Sequence, residues 1–167
     1  FMSAYSNYQL SPNYRLDQTY SEQAIDDFQT FVNTYPTSER VQECNRLIDE
    51  MRLKLEKKAF EEANLYFDLR QYQAATVSYE NMLKDFPETT NVEQVRYMIA
   101  KSAFLLAQNS VYDKQKERYE DMISRADDFL NKFSKSSHAS EIRSYKNSSK
   151  KKLKEFSNGR HQNKSTR

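Results

Sequence analysis

The sequence repeats itself at a fixed spacing. Ala24–Cys44 aligns with Ala75–Val95 at an offset of 51 residues, and Met122–Ile142 forms a weaker third copy on the same columns. In each copy, aromatic and aliphatic residues recur three or four positions apart, which is the spacing of one helix face. Helical units with a common pattern bury these faces by stacking on their neighbours. The repeat therefore predicts an all-α fold in which antiparallel helix pairs stack into an α-solenoid.

Proline and hydroxyl residues mark the ends of the repeated helices. Pro36 and Pro87 each follow an aromatic residue. Because the residue before a proline disfavours the α-helical region, the helix is expected to end there. Ser134 takes the place of the proline in the third copy. Hydroxyl pairs come next in all three copies and predict N-caps for the following helices: Thr37-Ser38, Thr89-Thr90 and Ser136-Ser137.

An uninterrupted pattern between the first two copies predicts one long helix, shared by neighbouring helix pairs. From Ser38 to Leu69, apolar residues recur every three or four positions with neither proline nor glycine. Roughly 30 residues at 1.5 Å each give a length of about 45 Å. The polar stretch Asn109–Arg118 predicts a longer connection. The other expected helices are Gln73–Asp85, Val92–Gln108, Tyr119–Phe133 and Ala139–Phe156.

These expectations divide the chain into three parts. Residues 1–18 are expected to form an irregular lead-in, because Pro12 interrupts the helical pattern, and the opening sequence is typical of a fragment or a processed chain. Residues 19–156 are expected to form the helical repeat domain. Residues 157–167 are expected to form a disordered basic tail.

The composition excludes most kinds of catalytic site. The chain has one glycine, Gly159, whereas phosphate-binding loops, dinucleotide fingerprints and nucleophile elbows all require glycine. Its one cysteine, Cys44, excludes an internal disulfide and a zinc site built from thiolates. The two histidines, His138 and His161, are not spaced as a helical pair for a metal ion. We therefore predict no catalytic, cofactor-binding or metal-binding residue, and no enzymatic activity.

The repeated small, aromatic and proline positions predict the core between the helices. A small residue lets a neighbouring helix approach closely, and the aromatic residue fills the space behind it. Phe86 and Phe133, at the aromatic position before each turn, are expected in the same core. The repeat positions are Ala24, Phe28, Pro36, Ala63, Tyr66, Ala75, Tyr79 and Pro87.

Tyrosines outside these positions and cations on the inner helix faces are candidates for a partner surface. Tyrosine supplies rigid contact area with a polar tip, which suits an interface. An exposed tyrosine at a connection is also common without any such role. The candidate partner-binding residues are Arg70, Arg96, Tyr97, Lys101, Tyr112 and Tyr119, with Tyr145 as a further tyrosine outside the columns.

Positive charge is concentrated at the C-terminal end. The chain has a net charge of +2, but from Arg143 onwards nine cations face one acid, Glu155. A helix that frays into a solvated tail is one interpretation. A basic helix that lies on a membrane surface or on an acidic partner is the other, because Leu153 and Phe156 give the segment a weak apolar stripe. Nucleic acid is not an expected partner, since interleaved aromatic residues and a groove-entering fold are not evident.

Two levels of family resemblance follow from these motifs. The helix pair Ala59–Pro87 resembles the tetratricopeptide repeat, with Ala63, Tyr66, Ala75 and Tyr79 in its small and aromatic columns. The spacing of about 50 residues differs from the usual 34 of that repeat. Three segments of the chain look like the BamD family of outer-membrane assembly lipoproteins, in particular its forms from Bacteroides-type bacteria. They are RLDQTYSEQAIDDFQTFVNTYPTSE, CNRLIDEMRLKLEKKAFEEANLYF and AATVSYENMLKDFPET. This second resemblance covers roughly residues 17–133.

The BamD resemblance implies a non-enzymatic scaffold at the periplasmic face of the bacterial outer membrane. A lipid anchor would lie upstream of Phe1, and Cys44 lies inside a helix and is not the lipid-bearing cysteine. The implied partners are the POTRA domains of the β-barrel insertase, other lipoproteins of the assembly complex, and unfolded barrel proteins. Two alternatives remain open at this point. One is a periplasmic tetratricopeptide adaptor of another cell-envelope or division complex, and the other is a glycan- or nutrient-binding outer-membrane lipoprotein with a helical-repeat core.

Overall fold

The computed structural model describes residues 1–162, with side chains as far as Asn158, and this part is helical without any strand. By contacts it forms two compact units, residues 1–61 and the chain from Glu62 onwards, and each is described separately. Neighbouring helices pack in pairs, which confirms the predicted all-α, tetratricopeptide-like fold class. The helices are α1 (Met2–Leu10), α2 (Thr19–Thr34), α3 (Val41–Asp68), α4 (Tyr72–Asp85), α5 (Val92–Gln108), α6 (Tyr112–Lys132) and α7 (Ala139–Gln162).

The first unit contains α1, α2 and residues 41–61 of α3. Its helices meet around small residues, because Ala4 of α1 and Ala24 of α2 are almost completely buried. Phe28 fills the centre, and the ring of Phe1 approaches it edge-on at 6.0 Å. The other members of this core cluster are Cys44, Leu47, Ile48 and Met51. The predicted irregular lead-in is therefore wrong for residues 2–10, which are helical because Ala4 and the neighbouring aromatic residues pack on this core.

Polar contacts fix the remaining part of the lead-in, residues 11–18, on α3. The Lys54 ammonium donates to the Ser11 hydroxyl at 2.6 Å, and the Lys58 ammonium donates to the Leu16 carbonyl at 2.7 Å. Lys57 lies 4.5 Å from the centre of the Tyr14 ring, within cation–π distance. The three lysines recur three and four residues apart, so one face of α3 holds the whole segment.

The second unit contains residues 62–68 of α3 and the helices α4 to α7. Helix α5 packs against α4, α6 and α7, and it is accordingly the most buried helix of the unit. Its bounds, Val92–Gln108, are those predicted from the sequence. Small residues allow this close packing, since Ala100, Ala103 and Ala107 are at most 2% exposed.

Two predicted boundaries in this unit are wrong. The connection after α5 comprises only residues 109–111, because α6 begins at Tyr112 and not at Tyr119. The polar stretch is the solvent-facing start of a helix, with Asp113 in the first turn, where an acidic group is favourable. Helix α7 continues to Gln162, past the end predicted at Phe156 and into the segment expected to be disordered. The last five residues of that predicted tail lie outside the described residues.

The same turn recurs in all three copies of the repeat. The carbonyl of the aromatic residue accepts the backbone N–H three positions later, at 3.0 to 3.1 Å, in the pairs Tyr35–Ser38, Phe86–Thr89 and Phe133–Ser136. The hydroxyl of each Ser or Thr then accepts the backbone N–H two positions further on, from Arg40, Asn91 and His138. The predicted N-cap role is therefore corrected, because the hydroxyls fix the turn that precedes each helix. The third copy forms this turn without a proline.

Most repeat positions lie where they were predicted, and three of them do not. Ala24, Phe28, Ala63, Ala75 and Tyr79 are completely buried. Tyr66 is 39% exposed, and Pro36 and Pro87 are also exposed, so none of the three belongs to the core. The prolines follow the C-caps Tyr35 and Phe86, where the neighbouring helices no longer cover the chain. For the same reason Phe86 and Phe133, which are C-caps themselves, are only half-buried.

Candidate docking groove

A continuous groove follows α4 in the second unit, and we call it the docking groove. It consists of three adjoining cavities of about 610, 390 and 700 Å³. The first and second share Gln73, Val77 and Leu106, whereas the second and third share Glu80, Asp121 and Arg125. Helix α5 contributes residues along its length, and α6 lines the two later cavities. The groove therefore has an aromatic end near the α3–α4 turn and a charged end near the α4–α5 turn.

The backbone of the α3–α4 turn positions the aromatic end. Arg70 has φ of 59°, the one positive value at a non-glycine position among the described residues. This left-handed residue ends α3, and the N–H of Gln71 donates to the Tyr66 carbonyl at 2.9 Å. A cationic side chain stands where glycine is the usual residue, at a backbone cost of about 1 kcal/mol. Such local strain at a cavity wall marks a position worth testing for function.

Exposed apolar side chains line the aromatic end. Val77 is 49% exposed and Tyr66 is 39% exposed, and both line the first cavity together with Tyr72 and Leu106. Arg70 also lines this cavity, so a cation lies among aromatic and aliphatic groups. Aromatic residues and arginine are the groups most enriched at protein interfaces. This end of the groove therefore has the composition of a docking surface.

Ion pairs line the charged end. The Arg125 guanidinium contacts the Glu80 carboxylate of α4 at 2.5 Å and the Asp121 carboxylate of α6 at 2.6 Å. Arg96 of α5 contacts Asp128 of α6 at 2.5 Å. The Nε atom of Arg96 is buried and has no hydrogen-bond partner among the described residues. These pairs join the walls of the groove, and they leave both signs of charge along its surface.

Five of the six predicted partner residues separate into three groups. Arg70 and Arg96 lie at opposite ends of the groove. Tyr112 is 69% exposed at the start of α6, outside the groove, with its ring centre 4.9 Å from that of Phe156. Tyr97 and Tyr119 are 6% and 3% exposed, so the expectation that they lie on the surface is wrong. Both face neighbouring helices, an arrangement that the 51-residue alignment does not reveal.

Tyr97 and Lys101 belong to a cluster that fastens α7 to α5. The Tyr97 hydroxyl donates to a Glu141 carboxylate oxygen at 2.8 Å, and the Lys101 ammonium donates to the Tyr97 hydroxyl at 3.0 Å. The Tyr145 hydroxyl donates to the other Glu141 oxygen. The rings of Tyr97 and His138 stack with centres 3.9 Å apart. This set is a structural joint, which buries Tyr97 and occupies the ammonium of Lys101, whose side chain is 30% exposed.

The joint shifts the ionisation of its members and should make stability depend on pH. The Tyr145 hydrogen bond holds the pKa of Glu141 below its ordinary value of 4.5. Because the folded pKa is lowered, the contribution is present above pH 4.5 and is lost as pH falls through the folded pKa. Burial raises the pKa of Tyr97 and Tyr145 above 10.0, so their contribution is complete below pH 10 and is lost at higher pH.

We expect Glu141→Gln to lower the free energy of unfolding at neutral pH and to flatten its decline in acid. Urea unfolding at several pH values between about 3 and 7, followed by circular dichroism, measures both effects. Glu120→Gln is the matched control, because Glu120 is exposed and pairs with Lys116 within the same helix. An acid decline equal in Glu141→Gln and wild type would contradict the assignment to Glu141.

Several groove residues were missed by sequence reasoning. Val77, Leu106 and Arg125 carry no motif, and Tyr66 was assigned to the core. Val77 could have indicated the groove, because it is an apolar residue two positions after the buried Ala75 and therefore lies on another face of the helix. The polar partners of Arg125 lie 45 and 4 residues away and gave no such signal.

The described residues hold neither a metal-binding cluster nor a membrane-spanning helix. They contain no group of three or more His, Cys, Asp or Glu side chains arranged to hold a metal ion. Within the same residues, every helix is too short or too polar to cross a membrane.

Comparison with known protein families identifies a matching family. The sequence profile of the family YfiO, described as "Outer membrane lipoprotein", matches residues 1–110. That is about two thirds of the 167 residues and includes α1 to α5. No curated protein matches the sequence significantly.

Proposed function

Because the chain belongs to the YfiO family of outer membrane lipoproteins, we propose that it is a non-enzymatic scaffold of the machinery that assembles β-barrel proteins in the outer membrane. In this proposal it acts like BamD and its Bacteroides-type forms. The full-length protein is held at the periplasmic face of the membrane by a lipid attached upstream of Phe1. It docks to the POTRA domains of the insertase beside other lipoproteins of the complex, and it helps to receive unfolded barrel proteins.

The docking groove, found in a chain of this family, is the observation that carries the proposal. Helix α4 has 14 residues and is about 21 Å long. An extended segment of about six residues at 3.3 Å each spans the same distance. Exposed apolar groups at one end supply contact area, whereas the ion pairs at the other end supply orientation and selectivity. We place the insertase contact in this groove, with Arg70 and Arg96 at its two ends.

The groove also fits the alternative function, a periplasmic adaptor of another cell-envelope or division complex. An adaptor would use the same surface to hold a peptide, so the partner distinguishes the two functions and the groove does not. Tagged full-length protein purified from solubilised envelopes tests them directly. The assembly proposal expects the insertase in the purified complex. Recovery of a different partner in stoichiometric amount, without the insertase, favours the adaptor.

The variant Val77→Glu tests the groove itself. It places a carboxylate among the exposed apolar groups of the aromatic end, so we expect recovery of the insertase to fall by about tenfold or more. Leu53→Glu is the matched control, because Leu53 is an exposed aliphatic residue on α3 in the first unit, 66% exposed against 49% for Val77. Unchanged circular dichroism checks that both variants fold. Equal recovery with the two variants would place the contact outside the groove.

A further inference from the structure

One exposed flank of α7 carries a row of cations. Arg143, Lys150 and Lys154 are seven and four residues apart, so they lie on one face of the helix, and Lys151 lies beside them. All four side chains are exposed. The distance along the helix from Arg143 to Lys154 is about 16 Å. We call these four residues the cationic stripe.

The buried face of α7 lies beside the stripe. Ile142 and Ser149 are completely buried, and the Ser149 hydroxyl contacts the sulfur of Met122 on α6 at 3.3 Å. Helix α7 packs on α6 and α5 through this face. Arg143 and Lys150 directly follow these two buried residues, so they lie about 100° further round the helix, on an exposed flank beside the packed face.

Neighbouring acids do not neutralise the stripe. Glu141 is occupied by the joint with α5, and Glu155 pairs with Lys152 at 2.9 Å. Asp127 of α6 pairs with Lys146. Across the described residues, Lys150, Lys151 and Lys154 have no ion-pair partner. Exposed lysines without an ion-pair partner leave uncompensated positive charge along this side of the helix.

We infer that the cationic stripe rests on an anionic phospholipid surface. Its charges lie in a line on a convex helix face, which can approach a plane of phosphate groups without reshaping. Lysines are flexible point charges, a form that suits diffuse attraction better than the fixed paired geometry of a specific protein site, and only Lys151 among those of the stripe is known to border a cavity, of about 290 Å³. Membership of an outer membrane lipoprotein family places such a surface within reach. The inference requires the family alone and is independent of the insertase contact.

Vesicle sedimentation tests the inference with the full chain. We expect binding to phosphatidylcholine vesicles that contain one third phosphatidylglycerol, and little binding to pure phosphatidylcholine. The binding should weaken when salt is raised, because the attraction is between exposed charges. Replacing Lys150, Lys151 and Lys154 together by glutamine should reduce the partition coefficient by about 100-fold at low salt, or roughly fivefold per lysine.

A second triple variant controls for total charge. Lys84, Lys116 and Lys135 are exposed lysines outside α7, and replacing them by glutamine removes the same net charge. We expect this variant to keep most of the vesicle binding. Equal losses in the two variants would overturn the inference, and so would equal wild-type binding to anionic and neutral vesicles. An acidic protein captured through the stripe, without any vesicle binding, would also overturn it. Because the assay contains no insertase, its outcome is separate from the test of the docking groove.

Discussion

Replacing Tyr79 with alanine is expected to lower the free energy of unfolding of the second unit by about 3–5 kcal/mol. Tyr79 is the largest of the completely buried side chains, and its hydroxyl donates to the Asn64 side-chain oxygen at 2.5 Å. The substitution leaves a cavity between α3 and α4 and removes the donor to Asn64. Urea unfolding followed by circular dichroism measures the loss. Tyr79→Phe, which keeps the ring, should cost only about 0.5–1.5 kcal/mol.

Tyr66 provides the matched comparison, since it is the other repeat-position tyrosine of the same helix pair. Its ring is 39% exposed on the wall of the docking groove, so we expect Tyr66→Ala to cost less than about 1 kcal/mol. The same variant should reduce recovery of the insertase from solubilised envelopes. Similar losses of stability in the two alanine variants would show that Tyr66 is a core residue after all.

Replacing Phe28 with alanine is expected to have a comparable effect on the first unit, a loss of about 3–5 kcal/mol. Phe28 is completely buried at the centre of the cluster formed by α1, α2 and α3, and it contacts the ring of Phe1. Its loss should free α1 in particular, because that helix has only nine residues and is held by its aromatic side chains. Hydrogen exchange should therefore accelerate first at the amides of α1.

Tyr35→Ala serves as the control for this second prediction. Tyr35 lies one helix turn beyond Phe31 and is 57% exposed, so its removal should change the free energy of unfolding by less than about 1 kcal/mol. The prediction fails if hydrogen exchange in α1 is as fast in Tyr35→Ala as in Phe28→Ala. It also fails if Phe28→Ala leaves the urea midpoint unchanged.

The sequence predicted those parts of the fold in which local pattern and packing agree. Helix α5 has apolar residues on several faces because three helices surround it, and both of its ends were predicted correctly. The long α3 was predicted to within three residues at its start and one at its end, since neither proline nor glycine interrupts it. The small residues Ala24, Ala63 and Ala75 were assigned correctly because close helix approach tolerates little else.

The errors have a common physical cause, which is that burial depends on neighbours distant in sequence. Tyr66 has the spacing of a core residue, yet the groove opens beside it. Tyr97 lies outside the aromatic repeat positions, yet the ring of His138, 41 residues away and just before α7, covers it. The start of α6 is so polar that its helical period is not visible, and the helix is stabilised there by contacts such as that of Arg118 with Ser110. The docking groove was missed for the same reason.

The hydroxyl-fixed turn bears on how such a chain can evolve. Its hydrogen bonds are the same in the copy that has lost its proline as in the two that keep it. One serine or threonine thus suffices to join two successive helices, and the residues on either side are free to diverge. A gene segment that ends at this turn carries its own connection, so duplication or deletion of a unit leaves a working junction. The third copy, whose sequence matches the other two least, has this same turn.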